Sequence, residues 1–162
     1  MEGHRWNLTL AGVTIRMELQ EPVPMTDAFR PFLTANAPDY TAQFRMVDAL
    51  PPFDDRVLLE GNCHRVHPAD CRSFFDAPKD LTPYALARTD HDAGRIEVDY
   101  LQKGTHCVSQ MDNSFFHLGF EGLLIRHDRV CFHAACVATG YGGILFSGPS
   151  GIGKSTQALL ML

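Results

Sequence analysis

Gly148-Pro149-Ser150-Gly151-Ile152-Gly153-Lys154-Ser155, followed by Thr156, is the stretch on which the reading of this chain turns. Its spacing is GxxxxGK followed by Ser or Thr, and each fixed position has a physical task. Glycines let the backbone curl until successive N–H groups point inward, where phosphate oxygens are received. Lys154 brings a point charge to the β- and γ-phosphates, and the Ser155 hydroxyl is the type of ligand that Mg²⁺ takes. The flanks agree: residues 143–147 (Gly-Ile-Leu-Phe-Ser) read as a short buried strand, and residues 156–162 read as a helix leaving the loop. That helix aims the positive end of its dipole at the phosphates. The plainer alternative is a glycine-rich strand-to-helix turn that binds nothing.

Working back from the loop, residues 130–138 (Val-Cys-Phe-His-Ala-Ala-Cys-Val-Ala) make a strand, turned at Gly140-Tyr141-Gly142 into the strand that feeds the loop. His133 lies on the earlier strand, one tight turn from the phosphates. A lone histidine in an apolar run is usually a core residue, but this nearness keeps a catalytic or positioning role open. Further back, Phe115, Phe116, Leu118, Phe120, Leu123 and Leu124 recur at helical spacing behind an Asp112-Asn113-Ser114 cap. With Phe115, Phe116 and Phe120 taken as core, the spacing predicts one buried helix.

The first hundred or so residues have a different texture. Trp6, Leu8 and Leu10 alternate with polar residues, Val13, Ile15, Met17 and Leu19 alternate again, and Ala11-Gly12 joins them as a hairpin turn. A short helix capped by Thr26 is expected over residues 27–35. Strands are expected at 40–50, 57–60, 63–67, 84–88, 96–101 and 106–109. The expected fold is α+β: an antiparallel β-rich module over residues 1–110, then the start of a P-loop kinase-like α/β domain over residues 111–162.

Other clusters carry less chemistry. Cys63, His64, His67 and Cys71 are zinc-type ligands, but their spacing is not that of a finger, and alternation sends the two histidines to opposite faces. They read as a polar loop between strands. Asp54-Asp55 and Asp90-His91-Asp92 read as solvated turns.

Composition narrows the function classes. At 162 residues, 45% apolar and 20% charged, the chain is globular in type. A net charge of −5 with no Lys/Arg cluster argues against nucleic acid as a partner. Nothing reads as a signal peptide or a membrane span, and five cysteines read as reduced thiols, so the cytoplasm is the expected compartment.

Residues 145–156, with Phe132-His133-Ala134-Ala135 before them, resemble the HPr kinase-like P-loop proteins. These share a core with the C-terminal domain of HPr kinase/phosphorylase and, more distantly, with ATP-dependent phosphoenolpyruvate carboxykinase. Glu121-Gly122-Leu123-Leu124-Ile125-Arg126 and the Leu8-Thr9-Leu10-Ala11-Gly12-Val13 hairpin, with Pro31-Phe32 and Ala37-Pro38-Asp39 after it, are similar too. The resemblance implies ATP and Mg²⁺ as cofactors, with phosphate moved to a protein serine or a small acceptor. It implies that Gly148, Pro149, Ser150, Gly151, Ile152, Gly153, Lys154, Ser155 and Thr156 hold the nucleotide, that Ser155 touches the metal, and that Lys154 and His133 are catalytic. Thr156 stands where HPr kinases usually carry an acidic residue, which argues against HPr itself as substrate.

Six residues follow Thr156, and the family's acidic residues lie beyond that point, so the sequence reads as truncated after the P-loop helix. The expectation is weak nucleotide binding without phosphoryl transfer by residues 1–162. The alternatives are a non-catalytic binding module with a vestigial or phosphate-sensing loop, and a hydrolysing NTPase. Leu159, Leu160 and Met161 present an apolar face through which the chain is expected to self-associate if nothing else covers it.

Overall fold

The computed structural model describes residues 4–77 and 79–161. These form two compact units, Met1–His127 and Asp128–Leu162.

The first unit is built on one eight-stranded sheet. Its strands are β1 (His4–Leu10), β2 (Val13–Leu19), β3 (Tyr40–Met46), β4 (Leu59–Glu60), β5 (His64–His67), β6 (Cys71–Phe74), β7 (Ala85–Asp90) and β8 (Arg95–Tyr100). They lie in the order β1-β2-β3-β8-β7-β6-β5-β4. The opening hairpin pairs Leu10 with Val13 across Ala11 (φ 51°) and Gly12 (φ 81°), two left-handed residues in a row, as a tight turn between twisted strands needs. The sheet is mixed, not antiparallel: β3 runs parallel to β2 on one side and to β8 on the other. The chain leaves β2 and returns through residues 20–39 before entering β3, and such a crossover restores the strand direction. Within those residues the expected helix shrinks to one 3-10 turn, Arg30–Phe32, which has no side-chain cap.

Period-two alternation sorts the strands onto two faces. One carries Leu8, Ile15, Met17, Ala42, Phe44, Ile96 and Val98, all buried in a single core. The other carries charge. Asp99 is shared by Arg45 (2.9 Å) and Arg88 (2.8 Å), and Glu18 takes Arg5 (3.1 Å) and Gln43 (3.1 Å).

Helices close the apolar face: α1 (Thr105–Val108), α2 (Met111–Phe116) and α3 (Phe120–Arg126). Val108, Leu118, Phe120, Leu123 and Leu124 join the sheet's own core, so a boundary near residue 110 would cut through this unit. The strand expected at 106–109 is the helix α1. Its polar side chains bond to nearby carbonyls, Thr105 Oγ1 to Gln102 (2.8 Å) and Ser109 Oγ to His106 (3.1 Å), and such local bonds favour turns over strands. The single helix expected behind a cap at 112–114 is two, and those three residues lie inside α2, which starts after Gln110 with no side-chain cap. The break falls at Gly119, whose φ of 60° is left-handed.

The second unit is a hairpin followed by a helix. β9 (Ala134–Thr139) pairs antiparallel with β10 (Gly142–Ser147), and α4 spans Lys154–Leu159. Thr139 Oγ1 donates to the Gly142 carbonyl (2.8 Å) and receives the Tyr141 amide (3.2 Å), which fixes the turn. The strand expected over 130–138 starts later, at Ala134, and leaves His133 just outside the ladder.

Candidate functional site

β10 ends at Ser147, and the chain bends at once into the glycine-rich loop. Gly148 lies under the Ile152 side chain: a Cβ there would sit 3.3 Å from Ile152 Cγ2, a tight contact that the exposed Ile152 would have to ease. Gly151 (φ 82°) and Gly153 (φ 93°) are left-handed with open space around them, so backbone conformation rather than crowding selects glycine at both. Gly153 is also the N-cap of α4, and the Gln157 amide donates back to its carbonyl (2.9 Å).

Lys154 is the first residue of α4 and reaches back over the loop. Its Nζ donates to the carbonyls of Gly148 (2.9 Å) and Pro149 (3.0 Å). An ammonium has three N–H donors and two are used here, so one remains to meet an anion without any loop bond being broken. The two carbonyl bonds hold the cation at the loop mouth.

Beside the loop lies an open cavity of about 460 Å³. Ser150, Gly151, Gly153, Lys154, Ser155 and Thr156 line one side of it, and His133 with Ala134 and Ala135 lines another. Pairing of Ser147 with Ala134 carries His133 to that mouth, where its carbonyl accepts from Ser147 Oγ (3.5 Å). The structure thus gathers His133, Lys154, Ser155 and Thr156 about one space. Gly148 and Pro149 serve it through their carbonyls, and Ile152 is exposed outside it. Two hydroxyls, a primary amine, an imidazole and a curled backbone make a donor-rich site of the kind polyanions take. No carboxylate is among the lining residues. Leu159, Leu160 and Met161 are exposed on and just after α4.

The remaining candidates have structural partners. The Cys63 to Cys71 stretch is a β-hairpin rather than a loop, with Ala69 (φ 56°) and Asp70 (φ 50°) in its turn. In it His67 Nδ1 donates to the Arg56 carbonyl (3.0 Å) and its Nε2 meets Ser73 Oγ (2.8 Å), so both ring nitrogens are engaged. Among the described residues no group of three or more His, Cys, Asp or Glu side chains is placed to hold a metal ion. Asp54 pairs with Arg56 (2.7 Å), whose hydrogen bonds pull its carboxyl below the usual range. Asp90 accepts from the Ala93 amide (3.0 Å) in its own turn. No helix among the described residues is long and apolar enough to cross a membrane.

Two features escaped the sequence. His117 is buried, with Nδ1 donating to the Asn113 carbonyl (2.6 Å) and Nε2 accepting from the Tyr84 hydroxyl (2.9 Å). Burial pushes its pKa down to about 4, against the Asn113 bond, which favours the proton. Arg72 lies in a cleft beside α3 and forms no hydrogen bond or ion pair with any described residue. Neither has a local motif. The one trace in the sequence is the pair Gly119 and Gly122, three apart on the turn that Arg72 crosses.

No family model, curated protein or solved structure matches this chain.

Proposed function

We propose that the chain binds the phosphates of a nucleoside triphosphate, ATP with Mg²⁺, at the 148–156 loop, as an HPr kinase-like phosphotransferase does. One observation carries the reading: Lys154 is held at the mouth of a left-handed glycine loop, with a donor free and with Ser155, Thr156 and His133 on the same cavity. The donor set fits the ligand in kind. When bound, ATP with Mg²⁺ supplies an activated phosphoryl group to an acceptor, a protein serine or a small molecule. Lys154 neutralises phosphate charge, and the loop amides orient the chain of phosphates. Ser155 is the metal-side hydroxyl. His133 is the one titratable group besides Lys154 on the cavity, which suits it to hold the acceptor's proton.

The lack of a carboxylate among the lining residues favours a second reading, binding without turnover. Phosphoryl transfer leans on an acidic group to fix the metal and the acceptor. The test is equilibrium titration with a fluorescent ATP analogue, with Mg²⁺ and with EDTA, on the native chain and on Lys154→Ala. Binding that needs Mg²⁺ and falls about tenfold or more in the variant supports the phosphate reading, since a lost charge-assisted contact is worth about that factor. Equal affinity in both proteins would sink it. Phosphate release or transfer by the native chain, absent from Lys154→Ala, would decide for turnover over binding alone.

A further inference from the structure

The first unit holds a cleft that the loop chemistry does not use. It opens between the β4–β6 end of the sheet and α3, with a volume of about 320 Å³, within the range of small-molecule sites. Phe74, buried, is its floor. Leu59, Phe116 and Ile125 rim it with their side chains largely in water. Phe116 packs edge-on to Phe74 (5.6 Å) and to His64 (5.8 Å), so the wall is aromatic on two sides.

Arg72 crosses this apolar space. Its guanidinium is pressed on the backbone of the α3 entry: a Cβ at Gly119 would fall 2.6 Å from Arg72 Cζ, and one at Gly122 would fall 2.8 Å from Nη2. Neither glycine carries a side chain that would crowd this guanidinium, and Gly119 (φ 60°) is also left-handed. Yet no described residue gives the cation a hydrogen bond or an ion pair. The neighbouring carboxylate Asp70 is taken by Arg126 (3.3 Å) and His91 (3.4 Å) across a smaller cavity of about 60 Å³ that Arg72 also borders. Glu121, the one carboxylate on the cleft lining, is exposed and makes no ion pair with it. A guanidinium that shares the lining of an apolar cleft with Phe74 and Phe116, and pairs with no described carboxylate, is suited to meet a carboxylate or phosphate. His64 beside it is held toward the neutral form, by burial first and by the Arg72 charge second, so it adds a ring and a dipole rather than a second cation.

We propose that this cleft binds a small apolar acid, one aromatic or branched aliphatic body carrying a single carboxylate, with Arg72 as the anchor and Phe74, Phe116 and Ile125 around the body. Charge complementarity sets the head group, and the volume sets the size. Glu121 opposes the acid from the rim and weakens it.

The test uses the full chain and three named acids: benzoate, phenylpropionate and methylpentanoate. Each is titrated by calorimetry beside its uncharged alcohol. At least one acid is expected to bind about tenfold more tightly than its alcohol, the factor that one charge-assisted contact supplies. Arg72→Met should remove that preference, and Glu121→Gln should strengthen acid binding. The proposal is overturned if no acid saturates below about 10 mM. It is overturned equally if acid and alcohol bind alike, or if Arg72→Met keeps the preference. The acid–alcohol comparison is made on the native chain, so it stands even if a variant fails to fold.

Discussion

Burial of His117 as a neutral imidazole ties the stability of the first unit to pH. The ring is 1% exposed, tilted at 4.6 Å against Phe74, and its two nitrogens are both satisfied in the uncharged form. Protonation would turn Nε2 from an acceptor into a donor facing the Tyr84 hydroxyl, in a site that water does not reach. In the folded chain the pKa is depressed from the ordinary 6.5 to about 4, first by desolvation. The sign follows from proton counting. Above 6.5 neither state binds the proton, and the full stability is present. As pH falls below 6.5 the unfolded chain takes up a proton that the fold refuses, so stability is lost until the fold also protonates near 4. The drop from 6.5 to about 4, at about 1.4 kcal/mol for each pH unit, amounts to about 3 kcal/mol. That is a large share of the ~5–15 kcal/mol by which a domain is ordinarily stable. The single tryptophan, Trp6, sits in β1 of the same unit and reports its urea unfolding. His64, also depressed by burial, pulls in the same direction, so the comparison must be made against His117→Gln. From about pH 7.5 to about pH 4.5 the native chain should lose about 2–3 kcal/mol more than the variant. Parallel pH profiles in the two proteins would refute the argument, whatever the variant's absolute stability.

The charged face of the sheet gives a second prediction. Asp99 is 2% exposed and holds both Arg45 and Arg88, so Asp99→Asn leaves the two guanidiniums with only the longer contacts to Glu97 (3.5 and 3.4 Å). The expected cost is about 2 kcal/mol in urea unfolding, below the usual figure for a buried pair because both arginines reach water. A cost that does not shrink as salt rises would count against an electrostatic origin. In the loop, Gly153→Ala forces a side chain onto a φ of 93°. The strain of about 1–2 kcal/mol should uncurl the loop and lower nucleotide affinity while leaving the Trp6-reported transition in place. Unchanged affinity would show that the left-handed turn is not needed.

How much of this was legible beforehand depends on how far apart in sequence the deciding contacts lie. The opening hairpin was legible because Leu8, Ile15 and Met17 alternate and a two-residue turn joins them. Every contact involved is local. The parallel pairing of β3 with β8 was not legible. Ala42 and Phe44 alternate in the same way whether their neighbour runs with them or against them, and β8 returns only after four intervening strands. The residues 115–124 announced a buried helix by their period, but a period does not say which unit it is buried against. Their packing on Phe74, Tyr84 and Val98 decided that, and placed them with the large sheet.

The two candidate sites divide along the same line. The loop binds itself: Lys154 to Gly148 and Pro149, and Gln157 to Gly153, are contacts within a few residues, so a fixed spacing can encode them and a motif can reveal them. The Arg72 cleft draws its parts from β4, β5, β6, α2 and α3, and its geometry exists only once the sheet is ordered. Phe116 shows the difference within one residue. Its place in an apolar period predicts a core side chain, and it is instead about half exposed, because the left-handed break at Gly119 turns α3 away from the line of α2. A helix continued through 119 would keep one face in one direction. The broken one leaves Phe116 at the lip of a cleft, with Gly119 and Gly122 giving Arg72 the room to reach it. The glycine that defeats the helical reading is therefore also one that Arg72 passes on its way to the cleft.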